Sequence, residues 1–137
     1  EELPGVVFDA FPLDREAQGI TGHSMGGHGA LTIAMTHPDR YRSVSAFAPI
    51  AHPTESDWGR KQFTAYLGED RSAWAPHDAT LLMRERGYPG EILIDQGSDD
   101  QFLDLLNRVE RWDVSNIDQL RLWPGEGAAL RLWPELE

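Results

Sequence analysis

The chain contains no cysteine among its 137 residues. Disulfide bonds, thiolate nucleophiles and cysteine metal sites are therefore excluded. Basic residues are also scarce, because 12 lysines and arginines stand against 23 acidic residues, a formal net charge of −11. Phosphate binding needs clustered positive charge, so nucleic acids and anionic membranes are disfavoured as partners.

Long apolar runs are missing too. None approaches the ~20 residues that span a bilayer, and the amino terminus lacks the pattern of a secretory signal. We therefore expect a cytoplasmic protein without a membrane partner. The length is that of one domain with its own core. The start at Glu1 rather than methionine indicates a processed or partial chain.

The most informative stretch reads GHSMG and fits the pattern G-x-S-x-G. In a nucleophile elbow, a sharp strand-to-helix turn lifts a serine hydroxyl clear of a sheet. Because the backbone of that serine is strained and its neighbours pass close by, we expect a Cβ at Gly22 or Gly26 to collide. The pattern also occurs by chance in glycine-rich turns. Here a short apolar segment precedes it and an apolar run suited to a helix follows, which favours Ser24 as a nucleophile.

The remaining pattern predicts an α/β fold with a mostly parallel sheet and helices on both faces. Neighbouring parallel strands are predicted at 18–22, 43–48 and 91–96, with a right-handed crossover helix at 25–36 between the first two. The other predicted elements are helices at 1–11, 62–67, 79–86 (with Asp78 as N-cap and Gly87 at its end) and 102–112, a loop at 49–59 and a strand at 120–123.

Two acidic residues, Asp99 and Asp100, directly follow the third predicted strand. Functional groups gather at the carboxyl ends of parallel strands, so these carboxylates and Ser24 are expected at the same sheet edge. This agrees with the chain order serine, then aspartate, then histidine of α/β-hydrolases. A solvated turn is the alternative interpretation of the aspartate pair.

Four longer motifs make the chain recognisable: ITGHSMGGHGALTIA, YRSVSAFAPI, WGRKQFTAYLG and ILIDQGSDDQFL, in that order. Together they resemble the S-formylglutathione hydrolase (esterase D) family, over residues 1–103. The resemblance implies an α/β-hydrolase that cleaves the thioester of S-formylglutathione to formate and glutathione, a step in formaldehyde detoxification. It also implies side activity on small acyl esters and no cofactor.

The resemblance assigns roles to individual residues. Ser24 is the nucleophile and Asp100 is the triad acid, which would hold a histidine in the correct tautomer. The backbone N–H of Met25 is an oxyanion donor. Apart from the resemblance, Trp58 in the loop after the second strand either lines an acyl pocket or serves only in packing.

The chain departs from the family pattern in its histidines. In the family, a strand like residues 120–122 leads into a Gly-Tyr-Asp-His-Ser turn that supplies the catalytic histidine, whereas in this chain Ala128 stands near that place. All five histidines of the sequence precede Asp100: His23, His28, His37, His52 and His77. We find no catalytic histidine on the family pattern, and no spacing typical of a metal site. The elbow projects Ser24 away from His28, and packing or polar roles are expected for His23 and His28. His37 and His77 are interpreted as loop and cap residues. His52, on a loop past the next strand, could reach the sheet edge and is considered as a general base on that position alone.

Family members are also about twice as long. We therefore expect a single partial domain over residues 1–137, without the amino-terminal half that supplies the first strands and the second oxyanion donor. Residues 104–137 form its divergent tail. Three functions stay open: an S-formylglutathione hydrolase, a broader small-acyl carboxylesterase of the same fold, and an inactive fragment that binds or oligomerises. The oligomeric state is open as well, a homodimer included.

Overall fold

The fold is built on a four-stranded sheet. The computed structural model describes residues 2–97, residue 100 and the backbone of 117–123. Its strands are β1 (Gly19–His23), β2 (Ser43–Phe47), β3 (Glu91–Gly97) and β4 (Ile117–Trp123). They lie in the order β1-β2-β3-β4, and every neighbouring pair is parallel. The predicted parallel pairing of the first three strands is confirmed.

The helix α2 (Met25–Thr36) connects β1 to β2, at the predicted bounds. Its apolar side, including Leu31 and Met35, packs into the main core with Val44 of β2 and Ile94 of β3. The helix ends before Pro38, since a residue that precedes proline avoids the helical conformation. Burial of this face holds the helix, and with it the turn at its start, against the sheet.

The helix α4 (Ala79–Arg86) also lies where it was predicted. The Asp78 carboxylate accepts a hydrogen bond from the backbone N–H of Leu81 at 3.1 Å, as an N-cap does. The helix ends at Gly87, whose φ of 66° suits a glycine. Leu82 and Met83 join the core that α2 covers.

Two other helices differ from their predicted bounds. The helix α1 spans Glu2–Ala10, and α3 spans Asp57–Leu67 rather than beginning at residue 62. The earlier start of α3 follows from its cap, because the Ser56 hydroxyl accepts the backbone N–H of Gly59 at 3.0 Å. The predicted loop over 49–59 is therefore too long, and Trp58 lies on a helix. Among the described residues, none of the helices combines the length and apolar character that crossing a membrane requires.

The carboxyl-terminal part is described only at β4. This strand begins at Ile117 rather than at residue 120 and pairs with β3, with a register irregularity between Ile92 and Leu93. The helix predicted at 102–112 and the rest of the predicted tail lie outside the described residues.

Candidate active site

Ser24 occupies the turn between β1 and α2 in a strained backbone conformation. Its φ is 55° and its ψ is −115°, values that cost a non-glycine residue about 1–3 kcal/mol unless the surroundings hold them. Two hydrogen bonds do so: the N–H of Ser24 donates to the Phe47 carbonyl at 2.9 Å, and its carbonyl accepts the N–H of His28 at 3.0 Å. The conformation predicted for a nucleophile elbow is present.

The glycines around Ser24 differ in what they do. A Cβ on Gly22 would lie 2.1 Å from the carbonyl oxygen of Gly26, so this position accepts only glycine without a backbone shift. The predicted collision at Gly26 itself is wrong, because nothing lies within 4 Å of a Cβ there. The second crowded position is Gly27, where a Cβ would meet Pro49 at 3.0 Å. The G-x-S-x-G pattern does not distinguish these cases.

Asp100 follows β3 at the same sheet edge as Ser24, because β1 and β3 both run parallel to the β2 strand between them. It is half-buried, and one oxygen, Oδ2, accepts the Nε2 amide of Gln96 at 2.8 Å. Gln96 was not predicted as a site residue, although a glutamine near the end of an apolar strand was a signal. Asp99, the other aspartate of the pair, lies outside the described residues. The role of Asp100 stays a prediction.

A small pocket adjoins the elbow. Met25 is the first residue of α2, where backbone N–H groups have no acceptor within the helix and form the positive end of its dipole. This placement suits the predicted oxyanion donor. The pocket has a volume of about 70 Å³ and is lined by Met25, His28, Ile50, Pro53, Trp58, Gly59, Gln62 and Phe63. Trp58, 44% exposed, thus borders it, and its role in acyl binding stays a prediction.

His52, the candidate base, lies in a buried pair with Asp78. Its Nδ1 is 2.9 Å from Oδ2 and 3.1 Å from Oδ1 of that carboxylate. The hydroxyl of Thr54 also donates to Oδ2, at 2.7 Å, and its backbone N–H does so at 3.0 Å. The Nδ1 of His52 is thus engaged by Asp78, and the role of His52 as a base stays a prediction. The described residues include no group of three or more side chains that could hold a metal ion.

Asp78, the partner of His52, is fully buried. Burial by itself would raise its pKa, but the hydrogen bonds from His52 and Thr54 outweigh burial and hold the pKa below its ordinary value. A carboxyl with a lowered pKa in the folded state stabilises the fold at pH values above its unfolded pKa of about 3.9. That contribution is lost as the pH falls through the lower, folded-state pKa.

Asp78→Asn is therefore expected to lower the free energy of unfolding at pH 7 by about 2–4 kcal/mol, because the variant loses a buried, charged acceptor. The difference from the wild type should shrink as the pH falls below about 4, where the wild-type carboxyl loses its advantage. Urea denaturation at several pH values measures this. Asp70→Asn, a cap in an exposed turn, is the control and should change stability less. A pH-independent difference would contradict the ionised pair.

Comparison with known proteins adds to this geometry. The Esterase family model matches residues 1–121. The S-formylglutathione hydrolase of Paracoccus denitrificans is 82% identical over 105 residues, which are 77% of this chain and 38% of that protein. The S-formylglutathione hydrolase of Bos taurus is 53% identical over 106 residues, 75% of this chain and 37% of that protein. The matched segment thus spans well under half the length of each of these relatives.

Solved structures agree with the sheet topology. An S-formylglutathione hydrolase from Agrobacterium tumefaciens superposes with a TM-score of 0.82 at 42% identity, covering 94% of this chain and 48% of that one. A fluorophosphonate-binding serine hydrolase of Staphylococcus aureus gives a TM-score of 0.67 at 25% identity, over 91% of this chain and 54% of that one. The predicted family resemblance and the partial α/β-hydrolase fold are confirmed.

Proposed function

The chain belongs to the esterase family, and from that membership we propose that Ser24 is the nucleophile of a serine esterase whose substrate is S-formylglutathione. The observation that carries the proposal is the strained backbone of Ser24 at the carboxyl end of β1. Strain of this kind persists only where the surrounding structure enforces it, and it is concentrated at functional sites. The named relatives contribute the substrate, since both are S-formylglutathione hydrolases.

In the proposed reaction, the Ser24 hydroxyl attacks the carbonyl carbon of the formyl thioester. The N–H of Met25 stabilises the negative charge that develops on the carbonyl oxygen. The carbon–sulfur bond then breaks, glutathione leaves with the proton of the serine, and a formyl ester remains on Ser24. Water hydrolyses this ester to formate.

Proton transfer in both steps needs a general base that Asp100 orients. The Gln96 amide would hold one oxygen of that carboxylate and so aim the other at the base. The small pocket beside Met25 suits a formyl or other short acyl group better than a long chain.

A chimera tests the proposal. In the Paracoccus denitrificans enzyme, the 105-residue segment that matches this chain is replaced by the matching residues of this chain, and hydrolysis of S-formylglutathione is measured. We expect an active chimera, in which Ser24→Ala lowers kcat by about 10⁶-fold. Asp100→Asn is expected to lower kcat by about 10⁴-fold, because the base loses its orientation.

Asp99→Asn is the matched control and should keep most of the chimera's activity. If Asp99→Asn is inactive and Asp100→Asn is not, the acid is assigned to the wrong carboxylate. If the chimera still hydrolyses S-formylglutathione after Ser24→Ala, the proposed nucleophile is wrong. Turnover of p-nitrophenyl acetate without turnover of S-formylglutathione would favour the broader carboxylesterase.

A further inference from the structure

His28 contacts both the elbow and the loop across the pocket. Its backbone N–H donates to the carbonyl of Ser24, and its side-chain Nδ1 lies 2.8 Å from the carbonyl oxygen of Ile50. Both His28 and Ile50 line the pocket. The hydrogen bond therefore connects the helix that starts at the elbow to the opposite wall.

This contact determines which ring nitrogen carries the proton. A carbonyl oxygen can only accept, so Nδ1 of His28 has to donate. Burial lowers the pKa of His28, an effect that the hydrogen bond to Ile50 and the charge of Asp78 oppose and that His77 adds to. The ring is consequently neutral at pH 7, with its one proton on Nδ1 and an acceptor at Nε2.

The wall that His28 holds is a short segment, residues 48–56, which we call the pocket loop. On its other side, the Ala51 carbonyl accepts both the N–H and the hydroxyl of Thr80 at 3.0 Å. Asp78 receives the two hydrogen bonds from Thr54 described above. The cap and the first turn of α4 therefore hold the pocket loop from one side, and His28 of α2 holds it from the side of the elbow.

The loop also supports the third wall of the pocket. A Cβ on Gly59 would lie 2.2 Å from the Pro53 carbonyl oxygen, so α3 packs directly on the pocket loop. A shift of the loop at Ile50 would accordingly move Trp58 and Phe63 relative to Met25.

We propose that His28 is a positioning residue whose neutral, Nδ1-protonated ring fixes the pocket loop against the elbow helix and thereby sets the width of the pocket beside Ser24. The proposal rests on the proposed function only in taking this pocket as the acyl site. The hydrogen bond itself and its effect on the loop can be measured without turnover.

The first measurement is a long-range ¹H–¹⁵N spectrum of the imidazole rings in the 137-residue chain at pH 7. We expect the His28 ring to be neutral and to carry its proton on Nδ1. A ring protonated on Nε2 alone, or on both nitrogens, would overturn the proposal.

Two substitutions separate the hydrogen bond from the bulk of the ring. The amide nitrogen of asparagine occupies the position of Nδ1, whereas that of glutamine occupies the position of Nε2. His28→Asn should therefore keep the bond to Ile50, and His28→Gln should lose it. We expect amide hydrogens of the pocket loop to exchange about tenfold faster in His28→Gln, since a buried carbonyl loses its donor, and at the wild-type rate in His28→Asn.

The methyl resonance of Met25 reports on the pocket itself and should shift in His28→Gln but not in His28→Asn. His37→Asn and His37→Gln, at the exposed end of the same helix, are the matched controls and should alter neither readout. Equal behaviour of the two His28 variants would show that the ring only fills space and would overturn the proposal. If the chimera is inactive while these results hold, the proposed function fails and the positioning role of His28 stands.

Discussion

Gly22→Ala is expected to destabilise the chain by about 3 kcal/mol or more, or to prevent folding. The added Cβ collides with backbone atoms, and no flexible side chain is there to move aside. The added Cβ would lie 2.1 Å from the carbonyl oxygen and 2.2 Å from the carbonyl carbon of Gly26. Relief requires the first turn of α2 to move away from β1, which would break the hydrogen bonds that hold Ser24. Urea denaturation followed by circular dichroism measures the effect.

Gly26→Ala is the matched control within the same five-residue motif. It has open space around its Cβ and lies in a helix, where alanine is favoured over glycine by up to about 1 kcal/mol. We expect this variant to be as stable as the wild type or slightly more stable. Equal destabilisation by both substitutions would show that the motif, rather than the contact at Gly22, requires glycine.

The 137-residue chain alone is expected to hydrolyse S-formylglutathione at least about 10⁴-fold more slowly than the chimera, because the loss of a triad histidine costs up to about 10⁶-fold. No histidine follows Asp100 in the sequence, so we expect Ser24 to lack the general base that the family pattern supplies. Loss of a second oxyanion donor typically costs a further factor of about 10²–10³ when the base is present. Parallel assays of both proteins, each beside its Ser24→Ala variant, measure the difference.

Comparable turnover by the two proteins, abolished in both by Ser24→Ala, would contradict this expectation. A base would then be present within the chain, and His52→Ala would be the next variant to assay. Its pair with Asp78 matches the histidine–carboxylate part of a triad, which makes this residue the appropriate one to test. Turnover that Ser24→Ala leaves unchanged would point to contamination or to chemistry at another residue.

Local sequence was sufficient to predict the elements whose ends are set by their own residues. Pro38 ends α2 because a proline restricts the backbone of the residue before it. Asp78 caps the start of α4, and Gly87 caps its end. The strands β1 to β3 were predicted from apolar segments that need cover on both faces of a sheet. The four longer motifs, taken together and in order, were also enough to identify the family.

What the sequence missed depends on contacts between distant segments. The requirement for glycine at Gly22 but not at Gly26 arises from the angle at which α2 leaves the sheet, which only the folded backbone defines. The start of α3 at Asp57 was missed for a different reason, because its Ser56 cap is a local signal that lay within a segment predicted as a loop.

The surroundings of Ser24 and Asp100 likewise required the tertiary structure. Sequence placed both residues after strands, because chain order and parallel pairing are enough to bring such positions to one edge. It did not reveal that Gln96 holds Asp100 or that His28 reaches Ile50, since a hydrogen bond between side chain and backbone depends on distances of tenths of an ångström that only packing determines. Sequence therefore determined which chemical groups this protein has at the sheet edge, and the tertiary structure decided which neighbours orient them.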